Sequence, residues 1–125
     1  MLISDEFVEV DDPVVAININ RTYRHGMSDE DLYDATRGIW RLNPRIAASR
    51  ARYAFAVYRG LIKEVYEIHL WHPAGTTTYL HRSFRPEELE HRYEFEGSLA
   101  PEFIREKYFG QRIPPHAQNP IRYMP

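Results

Sequence analysis

Two tryptophans stand among basic residues in this chain, and those neighbourhoods are the ones best equipped for chemistry. Arg37-Gly38-Ile39-Trp40-Arg41 sets an indole between two guanidiniums beside a glycine. Trp71-His72-Pro73 closes a strand-like segment, and Tyr79, His81, Arg82 and Arg85 follow soon after. Flat indole and phenol rings offer faces on which nucleobases stack, while guanidinium forks meet phosphates or base edges bidentately. Arg37, Trp40, Arg41, Trp71, His72, Tyr79 and Arg82 are therefore the candidate ligand-binding residues. The competing reading makes both tryptophans core anchors and the arginines surface residues whose stems cover apolar ground. What separates the two is whether Trp40 and Trp71 converge on an open pocket.

Other constellations are weaker. His69 and His72 flank Trp71, and His81 and His91 come later. Residues three apart on a strand face opposite sides, and the usual zinc spacings are absent, so neither a metal nor a cofactor is expected. Glu64 and Glu67 have opposite strand parity. Glu94 and Glu96 share a face, as glutamates on the wet side of a sheet do. There is no glycine-rich phosphate loop, nucleophile elbow or His-Glu-x-x-His motif. A small nucleotide-acting enzyme working through His69 or Glu94 stays a secondary reading, and no catalytic residue is assigned.

The chain of 125 residues has the length of one domain and can bury roughly two-thirds of its unfolded surface. With 43% apolar and 14% aromatic residues it is too hydrophobic for a disordered chain. Zero cysteines exclude a disulfide framework, thiolate zinc sites and a cysteine nucleophile. No apolar run reaches the roughly 20 residues of a membrane span, and Met1-Leu2-Ile3-Ser4-Asp5-Glu6 lacks the basic and apolar regions of a signal peptide; a soluble, cytoplasmic protein without a membrane partner is expected. Net charge is −2, unevenly spread. Asp5, Glu6, Glu9, Asp11 and Asp12 open the chain without a base among them, whereas Arg37, Arg41, Arg45, Arg50, Arg52, Arg59 and Lys63 run without an acid. The basic stretch suits phosphates or a solvated face; the acidic one could mimic phosphates towards a protein partner.

The elements that must position these residues follow from pattern. Val14 to Ile19 is rich in β-branched residues and predicts a strand. Ser28 with Asp31 starts a helix to about Thr36, ended by Gly38, and Pro44 after Asn43 starts a second through about Arg50. Tyr53–Arg59 and Leu61–Trp71 predict a long antiparallel hairpin turning at Arg59-Gly60. Along its second strand Ile62, Tyr66, Ile68 and Leu70 share the buried parity, leaving Val65 and Trp71 on the wet side. Pro73 to Pro86 reads as a loop, and His91–Glu96 as a strand closed by Gly97. Ser98 can cap a helix from Pro101 to about Tyr108. Residues 111–125 form an extended, proline-containing tail that docks through Ile113, Ile121 and Tyr123. The result is a single α+β domain over 1–125: a small curved mixed sheet or a β-barrel around the long hairpin, with two to three short helices.

Tyr53-Ala-Phe-Ala-Val-Tyr-Arg-Gly60-Leu-Ile-Lys-Glu-Val-Tyr-Glu-Ile68, with Trp71, Arg92-x-x-Phe95-x-Gly97 and the closing Ala117-Gln-Asn-Pro-Ile-Arg-Tyr123, resembles a family of small uncharacterised bacterial and phage proteins. The strand–helix–long-hairpin order ending in Val65-Tyr66-Glu67-Ile68 is similar to PUA-like domains, the ASCH and EVE groups included. That second likeness implies a small β-barrel that recognises RNA or modified bases between barrel and helix, although the Gly-Asp turn of many such domains is missing here. Taken together, these readings lead to the expectation of a non-enzymatic domain that binds nucleic acid or a modified base. The alternatives are a protein-binding module, such as a phage-type inhibitor of a nucleic-acid enzyme, and the small enzyme named above.

Overall fold

The structure is a computed structural model and describes residues 6–80 and 82–125. Strand β1 (Val14–Asn18) is buried on both faces, as its unbroken β-branched run requires. Helix α1 (Asp29–Arg37) starts where Ser28 Oγ accepts the Asp31 N–H at 3.1 Å, with Asp29, Glu30 and Asp31 at the positive end of its dipole. Helix α2 (Pro44–Arg50) has Pro44 in its first turn, and Asn43 Oδ1 accepts the N–H groups of Arg45 and Ile46. Strands β2 (Tyr53–Tyr58) and β3 (Leu61–Pro73) form the expected hairpin. Arg59 and Gly60 both take positive φ, 50° and 81°, the left-handed pair that a two-residue turn needs. A short helix α3 (Pro86–Leu89), strand β4 (Tyr93–Leu99), helix α4 (Glu102–Tyr108) and strand β5 (Ile121–Met124) complete the order.

The strands make one mixed sheet in the order β4-β3-β2-β1-β5, in which only β1 and β2 are parallel. A parallel pair needs a crossover, and α1 and α2 supply it. Both faces are covered. On one, Val15, Ile17, Ala54, Tyr66 and Phe95 pack with Leu32 of α1 and Ala51. On the other, Val14, Phe55, Val57, Ile62 and Val65 pack with Ile104 and Tyr108 of α4 and with Ile113. The α+β class and the mixed sheet stand, with four helices among the described residues. The sheet is open rather than closed into a barrel, because these two flanking layers bury both sides of the hairpin without closure.

Several expectations need correction. The parity along β3 is broken by register shifts between Ala56/Val57 and between Ile68/Leu70. Ile62 therefore faces the α4 layer while Tyr66 faces α1, Val65 is fully buried, and Leu70 is 56% exposed. Each bulge inserts an extra residue and swaps the faces beyond it. Gly97 lies inside β4 rather than closing it, pressed so near the Glu67 carbonyl that no Cβ fits. Pro101, not Ser98, precedes α4. The last part of the 111–125 tail is strand β5, antiparallel to β1.

Candidate functional site

At the carboxyl end of β1 the chain turns sharply, the Ile19 carbonyl accepting the N–H groups of Thr22 and Tyr23 at 3.0 and 2.9 Å. Open α/β sheets present their binding crevices beyond the carboxyl ends of parallel strands. Here a groove of about 900 Å³ lies there, between the turn, Trp40-Arg41, the 82–92 segment and residues 118–120. Arg21, Arg41, Arg82 and Arg92 line it against one carboxylate, Glu88, whose Oε1 is already engaged by the Arg85 N–H at 2.7 Å. Among the described residues, no hydrogen bond or ion pair is made by the side chains of Arg21, Arg41 or Arg92. Trp40 and Phe84 add aromatic surface.

The groove is held by what lies behind it. Gly38 is extended after α1, so the last carbonyls of the helix need other donors. Arg82 Nη1 reaches the carbonyls of Asp34 and Gly38 at 2.8 and 2.7 Å, and Trp40 Nε1 donates to the Thr36 carbonyl at 2.7 Å. Both side chains thereby cap the helix and are fixed in place at the groove. Burial lowers the proton affinity of the Arg82 guanidinium, yet an arginine stays charged in proteins.

Deeper still is a buried ionic network. Arg37 is 3% exposed and donates in three directions: Nε to Asp34 Oδ1 at 3.0 Å, Nη1 to Thr77 Oγ1 at 2.5 Å and Nη2 to the Thr78 carbonyl at 2.7 Å. Thr77 Oγ1 in turn donates to Glu94 Oε2. Glu94 is fully buried, and its two oxygens also accept from the N–H groups of Gly75 and Thr77 and from Tyr79 OH. With four donors around it, this carboxylate has no lone pair left for a substrate. The second oxygen of Asp34 accepts the Leu80 N–H at 2.9 Å. The network staples the 74–80 loop onto α1 and β4. Burial pushes the Tyr79 hydroxyl well above its ordinary range, against the pull of Arg37.

The seven candidate residues thus divide. Trp40, Arg41 and Arg82 line the groove. Arg37 and Tyr79 stand behind it as structural members of the network. Trp71 packs edge-on against Phe95, ring centroids 5.4 Å apart, and is not among the groove's lining residues. His72 pairs with Glu96 at 3.1 Å on β3 and β4. His81 lies outside the described residues. The basic stretch disperses: Arg50 lies over Tyr123, Arg52 pairs with Glu67, Arg59 lies over Tyr58 and Lys63 over Tyr23. Of the acidic opening, Asp11 and Asp12 hold Lys107 at 2.6 Å each, while Asp5 lies outside the described residues. His69 is exposed beside Ser98, bonded to its hydroxyl.

Sequence reasoning missed Arg21, Phe84, Arg92 and the amide-bearing wall of Asn18, Asn20, Gln118 and Asn119. The available signal was the position of Asn20-Arg21 just beyond a strand rich in β-branched residues. Using it required knowing that β1 pairs in parallel with β2. In comparison with known proteins, no protein-family model, no curated protein and no solved structure matches the chain. Among the described residues, no helix is long and apolar enough to cross a membrane.

Proposed function

We propose that the groove at the carboxyl end of β1 binds nucleic acid, through arginine contacts to phosphate and an aromatic contact to a base, without catalysing a reaction on it. The observation that carries this reading is the excess of positive charge: Arg21 and Arg41 have no carboxylate partner, and Arg82 and Arg92 add to them against the single carboxylate of Glu88, in a concave site beside a rigidly held indole. Unpaired guanidiniums gathered in one cleft repel each other and concentrate an anionic ligand. The saturated environment of Glu94 argues for a binding role over a catalytic one. The ligand is of the kind that the likeness to PUA-like domains implied, recognised at the open end of a mixed sheet. Titration of labelled oligonucleotides at two salt concentrations tests it. Binding should weaken steeply as salt rises, and Arg21→Ala or Arg41→Ala should weaken it further without loss of stability. A chain that binds no oligonucleotide at low ionic strength would refute the proposal.

A further inference from the structure

We infer that the groove takes a single strand of nucleic acid, with one base turned out of its stack against Trp40; this rests on the reading above and narrows it. The first support is the hydrogen-bonding character of the wall. Asn18, Asn20 and Asn119 have each committed their side-chain oxygen, to the N–H groups of Asn20, Arg59 and Ile121 at 2.7, 2.8 and 2.9 Å. Each oxygen has one of its two lone pairs taken, while the amide N–H groups are uncommitted and the arginines are donors only, so donors predominate in the lining. A ligand that meets this lining must present acceptors along its length, as a phosphodiester chain does.

The second support is charge. Four guanidiniums surround the groove against one carboxylate, Glu88, which feels both Arg85 and Arg92, leaving an excess of about three positive charges. A single phosphate monoester carries only about 1.5 to 2 negative charges. A strand carries one per nucleotide, so about three or four linked phosphates match the site, and a nucleoside monophosphate does not.

The third is shape. The lining comes mostly from the segments 18–22, 39–41 and 118–120 with the short α3, not from a long helix that could enter the major groove of a duplex. Trp40 is half-buried, its ring orientation fixed by the bond to the Thr36 carbonyl. A base inside a duplex has both faces stacked on its neighbours, whereas a base of a single strand can turn a face to such a ring.

The test is fluorescence anisotropy on the full chain with short DNA and RNA strands of one sequence, their duplex, and a DNA chain of equal length lacking its bases. Single strands should bind more tightly than the duplex, and the preferred sugar identifies the strand. The slope of log K against log salt should be about −2 to −3, from roughly 0.7 per phosphate over three or four contacts. The base-free chain should bind about ten-fold more weakly or worse, and Trp40→Ala should erase that difference. Trp40→Phe keeps a ring and should keep much of it, which guards against a variant that merely unfolds. A duplex bound as tightly as the single strand, or a base-free chain bound as well as the intact one, overturns this inference while leaving a phosphate-binding groove. If no strand of any kind binds at low salt, the underlying reading falls with it.

Discussion

The guanidinium of Arg37 lies over the Tyr79 ring, 3.9 Å from its centroid, and both side chains end on partners that lead to Glu94. Two residues whose types suggested ligand recognition are thus spent on each other. Buried charges of this kind are tolerated only when every member is paired. The arrangement couples the 74–80 loop to the sheet that carries the groove.

Removing Arg37 leaves Asp34 buried without its cation and takes from the Thr77 hydroxyl, a donor to Glu94, the partner that orients it. Arg37→Ala should therefore destabilise the fold by about 3–5 kcal/mol, while Tyr79→Phe, which removes one donor to a carboxylate, should cost about 1.5–3 kcal/mol. Chemical denaturation of the two variants checks this. An Arg37→Ala protein as stable as the parent but defective in binding would place Arg37 in the ligand site instead.

The tryptophans should separate. Trp71 packs on Phe95 and does not line the groove, so Trp71→Ala should cost about 2–4 kcal/mol, at or below the lower end of the range for large aromatics because the ring is only half-buried. Oligonucleotide affinity should be unchanged under conditions where the variant is folded. Trp40→Ala should weaken binding by about 1–3 kcal/mol. Thermal melts and titrations on the same two proteins decide the matter; a binding defect confined to Trp71→Ala would reverse the assignment.

His116 gives the fold a pH dependence. Its Nε2 donates to the Ala16 carbonyl at 3.0 Å, and burial lowers its proton affinity below the ordinary 6.5, with Arg122 adding to the effect and the carbonyl opposing it. The unfolded chain therefore binds a proton at higher pH than the folded one does. The stability tied to neutral His116 is complete above about pH 6.5 and is lost as pH falls through the lowered folded value. Melting temperatures at pH 7.5 and 5.5 should fall further in the parent than in His116→Gln, whose amide can still donate to Ala16. Equal falls in both proteins would contradict this account.

Much of the fold was legible because local chemistry dictated it. Ser28 and Asn43 cap their helices as side chains of that type do, and Arg59-Gly60 takes one of the backbone conformations that favour so tight a hairpin. The faces of β3 were not legible, because two bulges change parity and nothing in Ile62–Leu70 announces an inserted residue. The site was half legible for a related reason. Residue type pointed to Trp40, Arg41 and Arg82, but only the antiparallel pairing of β5 with β1 brings residues 118–120 to the same end of the sheet as Asn20 and Arg21. Arg37 and Glu94 were misread because a sequence shows charge and not burial. Glu94, expected on the wet side of its strand, is the most enclosed carboxylate among the described residues.

The chain has two tryptophans and therefore two indole N–H signals in a ¹H–¹⁵N spectrum, which Trp71→Phe assigns. Adding a short single-stranded oligonucleotide at low salt should move the Trp40 indole signal and the Nε–H signals of Arg21, Arg41 and Arg92, leaving the Trp71 indole in place. Movement of the Trp71 indole with Trp40 still, or no movement of either at saturating oligonucleotide, would contradict a binding site at the carboxyl end of β1.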